Sequence, residues 1–144
     1  MRNLATAVDA GPGDANDVSV LLVDDQASMR MGVRMLLQLE ANAKVVGEAG
    51  SAAEAVSLVR SLKPDLVIMD VEMPGSDGIV AAGRCIDQHP QCMVIILTIH
   101  NLPDVRARAM AAGAWAFVEK GKPQELRDVF RHASDVLQLG QSQS

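Results

Sequence analysis

Three carboxylates, a hydroxyl and an amine stand at the ends of strand-like apolar runs: Asp24 and Asp25 after VSVLLV, Asp70 after LVIM, Thr98 after MVIIL and Lys120 after WAFVE. Adjacent Asp24 and Asp25, joined by Asp70, would repel one another strongly unless protons or a cation neutralised them. Magnesium suits such a set, because it takes oxygen ligands and commonly pairs one or two carboxylates with a phosphate oxygen. The backbone carbonyl of Glu72, just beyond Asp70, is the expected further protein ligand. A carboxylate can also attack phosphorus, provided the incoming charge is compensated. Asp70 is the expected nucleophile. It ends a strand alone and precedes Val71-Glu72-Met73-Pro74-Gly75-Ser76-Asp77-Gly78, whose Pro and Gly can shape backbone around a small group. Thr98 would donate its hydroxyl to one phosphate oxygen and Lys120 would set its ammonium on another, both acting by position and charge.

Taken singly, each residue has an ordinary explanation: a helix cap for the Asp pair, a β-branched strand residue for Thr98, a solvated side chain for Lys120. Accident would have to place all of them at the carboxyl ends of successive strands. That placement needs a parallel sheet, in which all four ends open onto one edge, where open α/β sheets bind ligands. Five strands are expected near residues 18 to 23, 44 to 48, 66 to 69, 93 to 97 and 115 to 119. Most are short continuous apolar runs, as strands covered on both faces should be.

Helix signals fill the gaps. Ser51 with Glu54 forms a capping box before Ala55, Leu58, Val59 and Leu62, and Lys63-Pro64-Asp65 stops that helix. Asn101, Pro103 and Asp104 open another helix that Gly113 ends. Pro123 begins the last, with Leu126, Val129, Phe130, Ala133, Val136 and Leu137 on its apolar face. Strand and helix in alternation imply right-handed crossovers with helices on both faces of the sheet. Residues 1–17, which include GPGDAND, read as a flexible leader, and residues 140–144 as a frayed tail.

At 144 residues and 49% apolar, the chain suits one domain with a sizeable core, and with only 2% aromatic residues that core must be aliphatic. Base-stacking platforms for single-stranded nucleic acid are not expected. Net charge is −5, and the arginines fall in scattered pairs (Arg30/Arg34, Arg106/Arg108, Arg127/Arg131) that suggest solvated helix faces instead of a basic tract. Cys85 and Cys92 lack metal-ligand spacing and read as buried or reduced thiols, while His89 and His132 read as surface residues. With no secretory segment and no membrane-length apolar run, the chain reads as cytoplasmic.

The segments LLVDDQASMR, DLVIMDVEMPGSDG with its D-x-x-M-P-x-x-D-G pattern, IILT and AGAWAFVEK occur in order and at compatible intervals. On these, residues 18–139 resemble the receiver domain of two-component response regulators. The resemblance implies a flavodoxin-like, doubly wound (βα)5 fold with a five-stranded parallel sheet of order 2-1-3-4-5. It implies that Asp70 accepts a phosphoryl group from a histidine kinase or histidine phosphotransfer protein. Asp24, Asp25, Asp70 and the Glu72 carbonyl would serve Mg2+, while Thr98 and Lys120 would read the phosphate. Phe117 matches an aromatic switch position: Thr98 drawn inward would leave room for the ring to turn in, altering the face of helix 4, strand 5 and helix 5 that controls a partner or output domain. The protein would be a phosphoacceptor, with no reaction beyond its own phosphorylation and dephosphorylation.

This sequence departs from the family pattern in places. Many receivers follow the equivalent of Lys120 directly with Pro; here Gly121-Lys122-Pro123 follows, and Lys122 rivals Lys120 for the phosphate. Lys120 is preferred because WAFVE runs straight into it. Phe117 lacks a hydroxyl, so less polar anchoring is expected of the switch. Glu72 and His100, each two residues beyond a site residue, could flank attacking water and tune dephosphorylation. The segment resembles receivers usually fused to helix-turn-helix domains, but five residues after Leu139 are too few for one, so a stand-alone receiver and a truncated regulator both stay open. A downstream protein partner and a homodimer are compatible with this reading; direct contact with nucleic acid or membrane is not expected. Two alternatives remain. A haloacid-dehalogenase-type phosphatase needs a second Asp where this chain has Glu72. A non-phosphorylated pseudo-receiver acting as an interaction module would be expected to lose part of the acidic set, which is intact.

Overall fold

Short aliphatic runs and amphipathic segments alternate along the chain, and a computed structural model, describing residues 16–142, turns each into a strand or a helix. The expected leader up to residue 15 and the last two residues of the expected tail lie outside the described residues. In chain order the elements are β1 (Val18–Val23), α1 (Ala27–Leu37), β2 (Ala43–Ala49), α2 (Ala52–Leu62), β3 (Leu66–Asp70), β4 (Glu72–Met73), β5 (Ser76–Asp77), α3 (Gly78–Gln88), β6 (Met93–Thr98), α4 (Pro103–Ala111), β7 (Ala116–Glu119) and α5 (Pro123–Ser142). The main sheet has order β2-β1-β3-β6-β7, and every pairing in it is parallel. With the small antiparallel hairpin β4-β5 set aside, this is the expected flavodoxin-like order 2-1-3-4-5.

Period-two alternation divides the strands between two cores. Leu21, Val23, Val67, Met69, Val94, Ile96 and Phe117 point to the side covered by α2, α3 and α4. Val20, Leu22, Leu66, Ile68, Ile95, Leu97 and Val118 point to the other, where Leu37 of α1 and Leu126, Phe130 and Ala133 of α5 close over them. All five residues of β3 are buried, as a central strand covered on both faces requires.

Helix boundaries follow local chemistry. Ser51 Oγ accepts from the Glu54 amide at 3.2 Å, and Glu54 Oε1 accepts from the Gly50 amide at 3.0 Å. Lys63 ends α2 in the left-handed region at φ 48°. Asp77 caps α3 by accepting from the amides of Ile79 and Val80. Pro103 and Pro123 open their helices as expected. The last helix runs longer than expected: α5 continues through Ser142, so the tail expected from Gly140 is helical over its first three residues.

The arginine pairs expected on solvated faces instead tie elements together. Arg127 and Arg131 of α5 both meet Glu40, a buried carboxylate in the α1-β2 connection, at 2.8 Å. Arg30 and Arg34 of α1 hold Glu48 of β2. Arg108 binds Asp77 at 2.7 Å, and Arg106 covers the Phe117 ring with its guanidinium carbon 5.7 Å from the centroid. Cys85 and Cys92 are free and buried. Among the described residues no helix is long and apolar enough to cross a membrane.

Candidate functional site

Three of the strands that deliver a polar residue to the carboxyl edge stay bonded to a neighbouring strand at or just beyond that end. The amide of Asp24 donates to Ala49 O at 3.0 Å, that of Val71 to Leu97 O at 3.0 Å, and that of Lys120 to Thr98 O at 2.7 Å. The backbone beneath the site is therefore as fixed as the sheet. Asp24, Asp70 and Thr98 are 6%, 2% and 0% exposed, respectively, while Asp25 faces outward.

One ligand oxygen from each of Asp24, Asp25 and Asp70 lies within 4.8 Å of the others. Lys120 Nζ sits 2.9 Å from Asp70 Oδ1 and 3.4 Å from Asp24 Oδ2. Three carboxylates facing one ammonium leave negative charge uncompensated. Burial, with the Asp24 charge added, pushes Asp70 up to about 6, against the opposing pull of its bonds from Lys120 and the Glu72 amide. Burial alone would lower Lys120, but its bonds to Asp70 and the charge of Asp24 outweigh this and hold the ammonium above its usual range. An all-oxygen, over-negative cluster fits a hard divalent cation such as magnesium, with the three carboxylates as its holders.

Glu72 lies closer to the chemistry than its expected carbonyl role required. Its amide donates to Asp70 Oδ1 at 3.0 Å, and its carboxylate accepts the Thr98 hydroxyl at 2.6 Å and the Ile99 amide at 3.1 Å. Burial alone would raise Glu72, but the bonds from Thr98, Asp70 and Ile99 prevail and keep it below the ordinary carboxylate range. Thr98 Oγ1 also accepts from the His100 amide at 3.1 Å, so His100 reaches the site through its backbone while the residue itself is exposed.

Lys122 turns to Glu119, 2.8 Å away, with its side chain 55% exposed, whereas Lys120 is the lysine beside Asp70. Phe117 is buried, at 7% exposed, on the face of the sheet that α4 covers. Gly78, read from the sequence only as one of the residues shaping the loop after Asp70, has a sharper constraint: a Cβ there would stand 2.4 Å from Asp70 O and 2.8 Å from Val71 Cα. Its place in the Asp77-Gly78 pair was the available signal. A cavity of about 220 Å³ opens on the other side of Lys120, lined by Met29, Val33, Leu36, Leu97, Val118 and Pro123 among others. Its walls are mostly apolar, and Asp70 is not among the residues that line it.

Comparison with known proteins accords with this geometry. The Response regulator receiver domain family matches residues 20–131. The chain is 36% identical over 130 residues to Response regulator UvrY of Escherichia coli (strain K12), covering 84% of this chain and 60% of the relative. It is 37% identical over 119 residues to Response regulator GacA of Pseudomonas aeruginosa, covering 78% of this chain and 55% of the relative. The chain thus spans a little over half the length of these relatives. Among solved structures, the response regulator domain of Thermotoga maritima CheB superposes with TM-score 0.75 at 31% identity, covering 83% of this chain and 97% of that one. A LuxR-family two-component response regulator from Aurantimonas sp. SI85-9A1 superposes with TM-score 0.79 at 32% identity, covering 83% and 86%. Strand-end carboxylates, the buried Thr98, the Lys120 contact and these likenesses all converge, and the chain belongs to the response regulator receiver domain family.

Proposed function

We propose that residues 18–139 form a signalling receiver that takes a phosphoryl group onto Asp70 from a histidine kinase or histidine phosphotransfer protein in the cytoplasm. The observation that carries this reading is the position of Asp70: buried, 2.9 Å from Lys120, and within ligand distance of Asp24 and Asp25. In the transfer, a carboxylate oxygen of Asp70 attacks phosphorus as the P–N bond to the donor imidazole breaks. The imidazole nitrogen keeps the electron pair and takes a proton from solvent. Asp70, at about 6, is mostly ionised at neutral pH and ready to attack. Asp24, Asp25 and Asp70, with the Glu72 carbonyl, would hold magnesium, which would supply positive charge beside the transferring group. Lys120 and Thr98 receive the phosphoryl oxygens from fixed positions, so little reorganisation accompanies the charge they stabilise.

The readout belongs to the surface of α4, β7 and α5. Thr98, drawn toward the phosphoryl group, is coupled through the β6-β7 pairing to Phe117, whose ring supports Arg106 on α4. A shift in that population would alter what the surface offers a downstream protein, an output domain or a second copy.

Intact-mass spectrometry after incubation with acetyl phosphate tests the acceptor. We expect one magnesium-dependent phosphoryl addition to the wild type and none to Asp70→Asn. No addition from either acetyl phosphate or a phosphohistidine donor would overturn the reading.

A further inference from the structure

The hydroxyl and the amide best placed to bind an anion beside Asp70 already hold one. Glu72 Oε1 accepts from Thr98 Oγ1 at 2.6 Å and from the Ile99 amide at 3.1 Å, and Oε2 lies 3.4 Å from the same amide. The Glu72 backbone is fixed, because its amide donates to Asp70 Oδ1 and residue 72 pairs with Asp77 in the β4-β5 hairpin. The carboxylate thus reaches from the end of β3 across to the end of β6. A carboxylate and a phosphoryl group ask the same of a site: negative oxygens met by N–H and O–H donors. Thr98 has one hydroxyl proton, and in this arrangement it is directed between Glu72 Oε1 and the more distant His100 O at 3.0 Å.

We propose that Glu72 is an internal competitor for the phosphoryl group, its carboxylate occupying the Thr98 hydroxyl and the Ile99 amide at rest and leaving them when Asp70 is phosphorylated. The proposal rests on the receiver reading given above and adds a control to it. Glu72 is partly exposed, so its side chain can rotate into water while the hairpin stays paired. The resting protein then keeps its phosphate donors in place but capped, and part of the free energy of phosphoryl binding goes to displacing the carboxylate. This role differs from positioning water, which would change the hydrolysis rate and leave equilibrium binding of a phosphoryl analogue untouched.

The test is titration with beryllofluoride at saturating magnesium of the wild type, Glu72→Ala, Glu72→Gln and, as a control for charge alone, Glu119→Gln. The Ile99 amide is followed by NMR. Glu72→Ala is expected to bind the analogue about tenfold more tightly, the equivalent of one charge-assisted bond no longer displaced. Glu72→Gln should fall between it and the wild type, and Glu119→Gln should stay within about twofold of the wild type. The Ile99 amide should differ between the wild type and Glu72→Ala when free and coincide when both are bound. Equal or weaker binding by Glu72→Ala, or a gain matched by Glu119→Gln, overturns the competitor while leaving the receiver intact. Failure of every protein, wild type included, to bind the analogue overturns the receiver reading and this proposal with it.

Discussion

Substituting Gly78 should harm the protein in a way that helix propensity alone would get wrong in sign. Alanine is favoured over glycine by about 1 kcal/mol inside a helix, and Gly78 opens α3. Yet its added Cβ would stand 2.4 Å from Asp70 O, 2.8 Å from Val71 Cα and 3.1 Å from Val71 O. All three are backbone atoms, held by the Val71 amide bond to Leu97 O and the Met73 amide bond to Val71 O, so no flexible side chain can move aside, and α3 must separate from the β3-β4 turn by nearly an ångström. Overpacking of this kind costs about 1–3 kcal/mol; with backbone on both sides we expect Gly78→Ala to lose about 2–3 kcal/mol. In urea, where slopes for small proteins are about 1–3 kcal/mol/M, the midpoint should fall by roughly 1–2 M. Gly83 is the internal comparison: it lies in the same helix, and a Cβ there would find only Ala112 O, at 3.8 Å. Gly83→Ala should therefore gain about 0.5–1 kcal/mol. Urea unfolding followed by far-ultraviolet circular dichroism measures both. A Gly78→Ala protein as stable as the wild type would refute the close-approach argument.

Other consequences follow from the same packing. Glu40 is held low chiefly by the Arg131 bond, against burial and with help from Arg127, so its contribution is full above the unfolded carboxylate pKa and lost as pH falls through the lower folded value. Glu40→Gln should cost about 2 kcal/mol at pH 7, with the gap to the wild type closing in acid; a gap independent of pH down to unfolding would contradict this. Lys63 ends α2 at φ 48°, a conformation that disfavours a Cβ, and Lys63→Gly should gain about 0.5–1 kcal/mol and raise Tm. Burial pushes the Cys85 and Cys92 thiols up to about 11 and about 12, so iodoacetamide at pH 8 should label the folded protein at least about a hundredfold more slowly than the urea-unfolded chain. Comparable rates in the two states would show that these thiols are not enclosed.

The candidate site was legible in the sequence because polar residues end aliphatic runs: Asp24, Asp70, Thr98 and Lys120 each follow a run whose apolar pattern already marks a strand. Parallel pairing then brings the four together. The strand order was not contained in those runs and rested on the resemblance. Contacts between side chains far apart in the sequence were out of reach. Glu40 meets Arg131 across 91 residues, and nothing in either local segment distinguishes that ion pair from two solvated charges. The carboxylate of Glu72 was hidden for a related reason: its backbone role is local to Asp70, but its side-chain partners lie 26 and 27 residues away, at and just past the end of another strand. The β4-β5 hairpin escaped because two-residue strands carry no periodicity to read.

Trp115 gives the molecule an optical consequence. It is the one tryptophan in a chain without tyrosine, its amide donates to Val94 O at 2.8 Å, and its ring meets His132 of α5 edge-on, with centroids 5.2 Å apart. That contact sits where β7 begins, at the edge of the sheet opposite Asp70. Intrinsic fluorescence therefore views the seating of α5 from the far side and is blind to the carboxylates themselves. Emission that changes on phosphorylation would record displacement of the helix as a body; emission that holds steady while the acceptor is loaded would confine the response to the other rim.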